Sequence, residues 1–426
     1  MPASIKSFLN IRFLLVIVSA ATIAGCASFL SQSEETKSLL RQGQMTQALK
    51  DLKEKSDSEG KDQLMYTLDY AMALQIAGDY KNSATTFIKA DSLLEQKDYH
   101  SISQIVGSTL GAEEMIQYKG ESYEKFLLNS MNAINYLMLG DFDAALVECR
   151  RINSKISTFK MEGRDAYELS PFASYLSGII WESQNKYDDA YIEYESAYKL
   201  DPSIAGIGGD LIRTARLAGR DQTLDKWKKT FKSDREALDE ESNGRKNGEV
   251  VVIFQQGFGA KKVPRSDEPR FPTLKTEFLN TSVAQVEITP LDSSNGKTQV
   301  SKSRVVYDID RMAMITLDKD YSSLVARRIG GVAAKAVMSD QIRQKNELLG
   351  GVAWIAMNIA DRADLRQWST LPSKIQMARI FLKPGKYDLK VLGLDSGNAP
   401  TADALPSQVI EIKAGKKVFV NFRSLR

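Results

Sequence analysis

The sequence predicts an α+β, multidomain protein: an N-terminal α-solenoid of paired helices, then a strand-rich, β-sandwich-like domain with a helical-hairpin insert. Three observations predict it. Glycine-marked helix turns recur between residues 34 and 235. Short β-type segments bounded by turn residues fill 249–426. An Ala- and Gly-rich apolar stretch of helical pattern, about 321–363, interrupts those strands. With 426 residues, 43% apolar and 26% charged, the chain has a globular balance and length for two or three domains. The expected divisions are 1–25 as a signal segment, 26–235 as the helical repeat, 236–248 as a linker and 249–426 as the β domain.

Lys6 and Arg12 give a weakly basic start ahead of the apolar run Phe13 to Gly25. Those 13 residues are too few to cross a hydrocarbon core of roughly 30 Å as a mature helix. The run closes on Ile23-Ala24-Gly25-Cys26, which resembles a bacterial lipobox. That resemblance implies lipidation of the Cys26 thiol; the competing reading is an ordinary signal peptide that happens to hold a cysteine. Acyl chains bury about 0.8 kcal/mol per CH₂, so several make a firm anchor. Ala27, not Asp, follows the cysteine, which by resemblance to Gram-negative lipoproteins implies the outer membrane with the body facing the periplasm. Loss of Lys6 and Arg12 with the segment lowers the formal charge from +3 to +1. So neutral a chain gives no electrostatic reason to expect nucleic acid as a partner. Cys149 is then left without an intramolecular partner, and no disulfide framework is expected.

Residues 171–202, PFASYLSGIIWESQNKYDDAYIEYESAYKLDP, resemble a tetratricopeptide repeat (TPR), with Gly178, Trp181, Tyr187, Ala190, Tyr194, Ala197, Leu200 and Pro202 at its signature positions. Gly178 and Ala190 are small where two helices cross closely, aromatics fill the gap, and Pro202 ends the second helix. Equivalent turns are marked by Gly43, Gly78, Gly140 and Gly219, with Asn185 in the strongest repeat; they lie 35, 62, 45 and 34 residues apart. The two longer spacings imply insertions near Ser92–Gly120 and Ser157–Tyr167, read either as functional loops or as extended helices and a cap. Stacked helix pairs leave a concave face, on which Met72, Gln75, Tyr175, Ile179, Glu182, Arg213 and Arg216 form the candidate partner groove. Arg213 and Arg216, three apart, either clamp a carboxylate or simply cover a solvated face. Cys149 falls at an inward position and is expected to be a buried, inert thiol.

After Phe231 the composition turns charged and turn-rich, the mark of a linker. Strands are then expected near 249–255, 284–289, 303–309, 313–317, 376–382, 387–393, 408–413 and 417–423. Asn295-Gly296, Pro384-Gly385 and Ala414-Gly415 punctuate them, with a hairpin-like reversal expected at Pro384-Gly385. The insert contains VARRIGGVAAKAVM and LLGGVAWIAMNIA, read either as a hairpin entering lipid or a partner, or as two helices packed through small residues.

YKGESYEKFLLNSMNAINYLMLGDFDAALVECRRIN, PFASYLSGIIWE, GEVVVIFQQGFGAKKVP and ADLRQWSTLPSKIQMARIFLKPGKYDL together resemble a family of proteobacterial TPR-containing lipoproteins with no assigned activity. The most specific pieces are Tyr118-Lys119-Gly120-Glu121, and Asp364 with Arg366, Trp368, Leu371 and Pro372, expected as structural or docking motifs. Cys149 stands where that family usually has Ala, and Ala260 where it tends to have Pro. Genes of the family often lie near lipoproteins similar to the curli secretion channel, and the resemblance implies partners of that envelope setting.

Chemistry is sparse. One histidine, His100, and two cysteines make a Cys₂His₂ zinc site impossible and leave His100 as the only base for a serine triad. Gly257-Phe258-Gly259-Ala260-Lys261 lacks the spacing of a phosphate loop. No cofactor or metal is expected. The first reading is therefore a non-enzymatic, lipid-anchored periplasmic scaffold or adaptor that binds envelope proteins, such as other lipoproteins or a secretion channel. A second is a peptidoglycan- or glycan-binding module using exposed aromatics such as Trp368. A third is a cell-wall hydrolase with a lone acid among Glu113, Glu114, Glu121 and Glu124.

Overall fold

Gly43, Gly78, Gly140, Asn185 and Gly219 all have positive φ, from 58° to 79°, in the computed structural model. The structure describes residues 29–99, 118–161, 170–239, 246–291, 297–322, 324–325 and 363–426. The signal segment with Cys26, His100, Glu113, Glu114, Asn295-Gly296 and all but the ends of the 321–363 insert lie outside the described residues. Each left-handed residue closes its helix in the same way. At Gly140 its N–H bonds the carbonyl of Leu137 (3.1 Å), and the next N–H, of Asp141, bonds that of Tyr136 (2.9 Å). Glycine reaches this conformation freely and asparagine at small cost.

These turns join α1 (29–41) to α2 (Met45–Asp57), α3 (Gln63–Ile76) to α4 (Tyr80–Tyr99), and α5 (Ser122–Leu139) to α6 (Phe142–Met161). They also join α7 (Pro171–Ser183) to α8 (Tyr187–Leu200) and α9 (Ile207–Leu217) to α10 (Asp221–Thr230). From α2 onward each helix packs on the next, so the N-terminal half is a helical-repeat solenoid. α4 and α6 run 20 residues each, against 14 in α8, so extended helices take up part of both long spacings. Pro171 opens α7 behind Ser170, whose hydroxyl accepts the N–H of Ala173 (3.3 Å).

The α7–α8 crossing leaves no room at Gly178: a Cβ there would stand 2.7 Å from the Tyr194 ring. Gly178→Ala is therefore expected to destabilise the protein by about 1–3 kcal/mol, although alanine is the better helix former. A chemical-denaturation midpoint equal to wild type would contradict the close crossing.

The linker range is partly helical, with α11 (Arg235–Asp239) running into its start. Among the described residues the β domain is a sandwich of two four-stranded sheets plus a two-stranded ribbon. One sheet has the order β10 (Lys417–Arg423), β1 (Gly248–Gln256), β7 (Lys374–Leu382), β6 (Arg304–Asp308), with β10 and β1 parallel. The other has the order β5 (Gln299–Lys302), β4 (Val283–Pro290), β8 (Gly385–Leu394), β9 (Pro400–Ile412), antiparallel throughout. The ribbon pairs β2 (Lys261–Pro264) with β3 (Pro272–Lys275).

Between the two sheets lie Val250, Val252 and Phe254 of β1, Val286 and Ile288 of β4, Ile380 of β7, Leu389 and Val391 of β8, and Phe422 of β10. The opposite face of the first sheet does not meet water. Val251, Ile253, Ile375 and Met377 join one continuous core with the solenoid helices. Burial on both faces explains why VVVIF is apolar at every position rather than alternating.

Two expectations need correction, and three strands went unforeseen. Residues 313–317 are not a strand; they lie inside α12 (309–322), whose buried Ile309, Ala313 and Thr316 follow helical spacing. Asp308 signals that helix start, accepting the N–H of Arg311 (2.9 Å). Pro384-Gly385 does not form a hairpin: β7 and β8 belong to different sheets, and the turn carries the chain across the sandwich. The short strands β2, β3 and β5 lack an apolar alternation long enough to read from sequence.

Candidate functional site

The concave face on which the partner groove was expected is filled by this chain's own first sheet. Met72, Tyr175, Ile179 and Arg213 are fully buried, Gln75 and Glu182 nearly so, and Arg216 is half-buried. The expectation of an open groove is therefore corrected. The period of two along β1, β7 and β10 turns Glu249, Arg379 and Lys417 toward the solenoid, where they meet Glu182, Asp210 and Arg213.

These six side chains form a balanced cluster of three carboxylates and three cations. Arg213 donates from Nε to Glu182 (2.7 Å) and from Nη2 to both Glu182 (3.1 Å) and Asp210. Arg379 bonds Asp210 and Glu249, and Lys417 reaches Glu249 and, at 3.2 Å, Glu182. Tyr175 donates to Asp210 (2.9 Å) and Tyr194 to Glu182 (2.9 Å). Burial alone would raise Glu182, but Arg213 and Lys417 outweigh it and hold the carboxyl well below its ordinary range. Glu249 is held down in the same way by Arg379 and Lys417. Arg213 is thus a carboxylate clamp, but its carboxylates belong to the same chain. Lower in the groove, Gln75 donates to Asn135 (2.8 Å) and the Met131 carbonyl (3.0 Å) and accepts from Gln255 of β1 (2.8 Å).

The two family-like motifs, more than 240 residues apart in sequence, meet in space. Glu124 joins them. Its carboxyl accepts from the Tyr118 hydroxyl, from the Glu121 N–H (3.0 Å) and from the Trp368 N–H (2.9 Å). Gly120 turns the chain at φ 74°, and Glu121 caps α5 while pairing with Lys262. Lys119 beside them is half-buried. Arg366 bonds Asp364 (2.6 Å) and Asp62 (2.9 Å) and lies over the Tyr118 ring. The Leu371 carbonyl accepts from Gly259 (2.8 Å), and Leu371 and Pro372 are buried. Asp69 of α3 adds a second hold, accepting from Ser369 (2.9 Å) and from the Thr370 N–H (2.9 Å) and hydroxyl (2.8 Å).

Burial pushes Glu124 up to about 7, with the Glu121 charge adding to it against the bonds it accepts. Burial likewise lifts Asp69 to about 6. Trp368 is 1% exposed, edge-on to Phe87, so it is not the exposed aromatic that the glycan-binding reading needed. Glu124 is closed to solvent with both oxygens occupied, a bridge rather than an acid open to substrate. Cys149 is buried, and that burial raises its thiol to about 12.

Sequence reasoning missed Asp69, Asp210, Glu249, Arg379 and Lys417. The available signal was a charge inside an otherwise apolar strand: Glu249 before VVVIF, and Arg379 within MARIFL.

No family model matches the chain, and no curated protein matches it. Among solved structures, MamA residues 41 to the end from Desulfovibrio magneticus RS-1 is 17% identical, covers 50% of this chain and 96% of its own, and has a TM-score of 0.32. Nearly identical TPR-like repeats of a Podosopora anserina kinesin light chain are 12% identical, cover 49% of this chain and 97% of their own, and have a TM-score of 0.32.

Proposed function

We propose that this protein is a non-enzymatic scaffold or adaptor, lipid-anchored through Cys26 at the outer membrane and facing the periplasm. Its solenoid would hold a protein partner of an envelope or secretion assembly. The observation that carries this reading concerns the outer side of the repeats. With the inner face occupied, apolar side chains remain exposed on the second helices of three successive pairs: Ile88 (40%), Val147 (43%) and Ile192 (50%). Val147 and Ile192 each stand seven residues beyond the left-handed residue of their turn, Gly140 and Asn185; Ile88 stands ten beyond Gly78, one helical turn further on. A row of this kind on a repeat surface suits an extended protein contact.

The test is affinity recovery from crosslinked envelopes, read by mass spectrometry. Ile88→Glu, Val147→Glu and Ile192→Glu together should reduce partner recovery at least about tenfold while leaving the thermal melt unchanged. Cys26→Ser should move the protein from the membrane to the soluble fraction. Undiminished recovery with the triple variant would place the partner elsewhere; recovery of muropeptides without protein would overturn the scaffold.

A further inference from the structure

Phe278 is 88% exposed, the highest value among the large hydrophobic side chains in the described residues. It is not at the tip of a loose loop. The preceding residue, Glu277, bonds Lys37 (2.6 Å) and Arg41 of α1. The following residue, Leu279, tucks against Gly257, where it occupies the space a Cβ would take. With both neighbours held inward, the phenyl ring is presented outward by construction.

Its surroundings are basic. Lys275 at the end of β3 is exposed, the Arg41 side chain is 33% exposed, and Arg426, whose side chain is exposed, is held to this segment by its main-chain oxygen, which accepts the Asn280 N–H (3.2 Å). The carboxylate in this segment, Glu277, is already engaged by Lys37 and Arg41. Position along the chain adds the second constraint. Residue 29, the first described residue of α1, follows Cys26 by three residues, a reach of at most about 10 Å. Lys37, which holds Glu277, lies eight residues further, about 12 Å along the helix axis.

We propose that Phe278, with Lys275 and Arg426 beside it, docks on the phospholipid surface that carries acylated Cys26. The inference rests on the lipoprotein reading above. A lone aromatic buries too little apolar area to hold a protein on a membrane. Next to an acyl anchor and basic groups it suffices to orient one, because the tether removes the cost of association. Docking would set the solenoid's outer row at a defined angle to the membrane instead of leaving it to swing.

The experiment attaches an environment-sensitive NBD fluorophore at F278C, with V409C as the control, since Val409 is 66% exposed on β9. Cys149 is buried and does not compete for the label. Full-length protein purified from membranes is reconstituted on phosphatidylethanolamine–phosphatidylglycerol vesicles containing nitroxide-labelled lipid. The mass of the N-terminal peptide reports acylation independently. Quenching and a blue shift at 278 but not at 409 are expected. Lys275→Glu with Arg426→Glu should lower the docked population roughly fivefold per charge. Acylated protein whose probe at 278 is as unquenched as at 409 overturns the docking while leaving the anchor intact. An unacylated Cys26 overturns the anchor and the docking with it. A blue shift without vesicles, at doubled mass, assigns Phe278 to a second copy of this chain and overturns the membrane contact.

Discussion

Replacing Arg379 by methionine is expected to lower the stability of the folded protein by about 3–5 kcal/mol, because it leaves buried carboxylates short of one cation. Arg379, like Lys417, touches both sides of the seam: Asp210 in the solenoid and Glu249 in β1. Methionine replaces the stem but no charge, so three carboxylates would share Arg213 and Lys417. Asp210→Asn in the same background should recover part of the loss. A double-mutant cycle read by chemical denaturation would report the coupling. Additive effects, or a loss under about 1 kcal/mol, would mean that apolar packing alone seats the sheet. The comparison with a full apolar replacement is informative too. Buried ion clusters often stabilise no more than well-packed hydrocarbon, and here six charges on five elements would then serve to define one docking of sheet on solenoid.

Stability is expected to fall as pH rises from about 4.5 to 7, and Glu124 is the main cause. Its ordinary carboxyl value is 4.5, and burial raises it to about 7 in the folded protein. Below both values the group is protonated folded and unfolded, and contributes no pH dependence. Between them the folded state binds the extra proton, so each step up in pH favours unfolding. Above about 7 the full cost of burying the ionised carboxylate is present, on the order of 3 kcal/mol. Asp69 acts in the same direction in the lower window, from 3.8 to about 6. Glu182 and Glu249, held low, change protonation only under acid conditions and leave the pH 5–8 range free of their contribution. Glu124→Gln should lose one accepted hydrogen bond, costing about 1–2 kcal/mol near pH 5. It should also flatten the decline between pH 5 and 7.5. A slope identical to wild type would remove Glu124 from the account, and His100, present in both proteins, cancels from the difference.

What the sequence determined by itself is what depends on neighbours along the chain. A left-handed φ is a local demand, so Gly43, Gly78, Gly140, Asn185 and Gly219 could be read as turns, and all five are. The α7–α8 crossing needed a residue without a side chain, and Gly178 said so. The apolar run of β1 was legible as a strand, and its burial on both faces came only with the structure. The motifs around Tyr118 and Trp368 were legible as special corners, although not as two halves of one contact.

Only the tertiary structure decided what covers each face. Repeat positions place Tyr175, Glu182 and Arg213 on the concave side, but periodicity cannot tell a face that meets water from one that meets a sheet. The sheet's ion pairs with these helices span 169 to 235 residues, with Glu249 and Lys417 closing the same cluster from opposite ends of the β domain. The same limit made Trp368 look available and Pro384-Gly385 look like a hairpin: burial and sheet membership are set by non-local pairing. Local dihedral preference and spacing carry no record of that pairing, and the free energy of closing the groove is distributed over residues whose contacts exist only once the chain has folded.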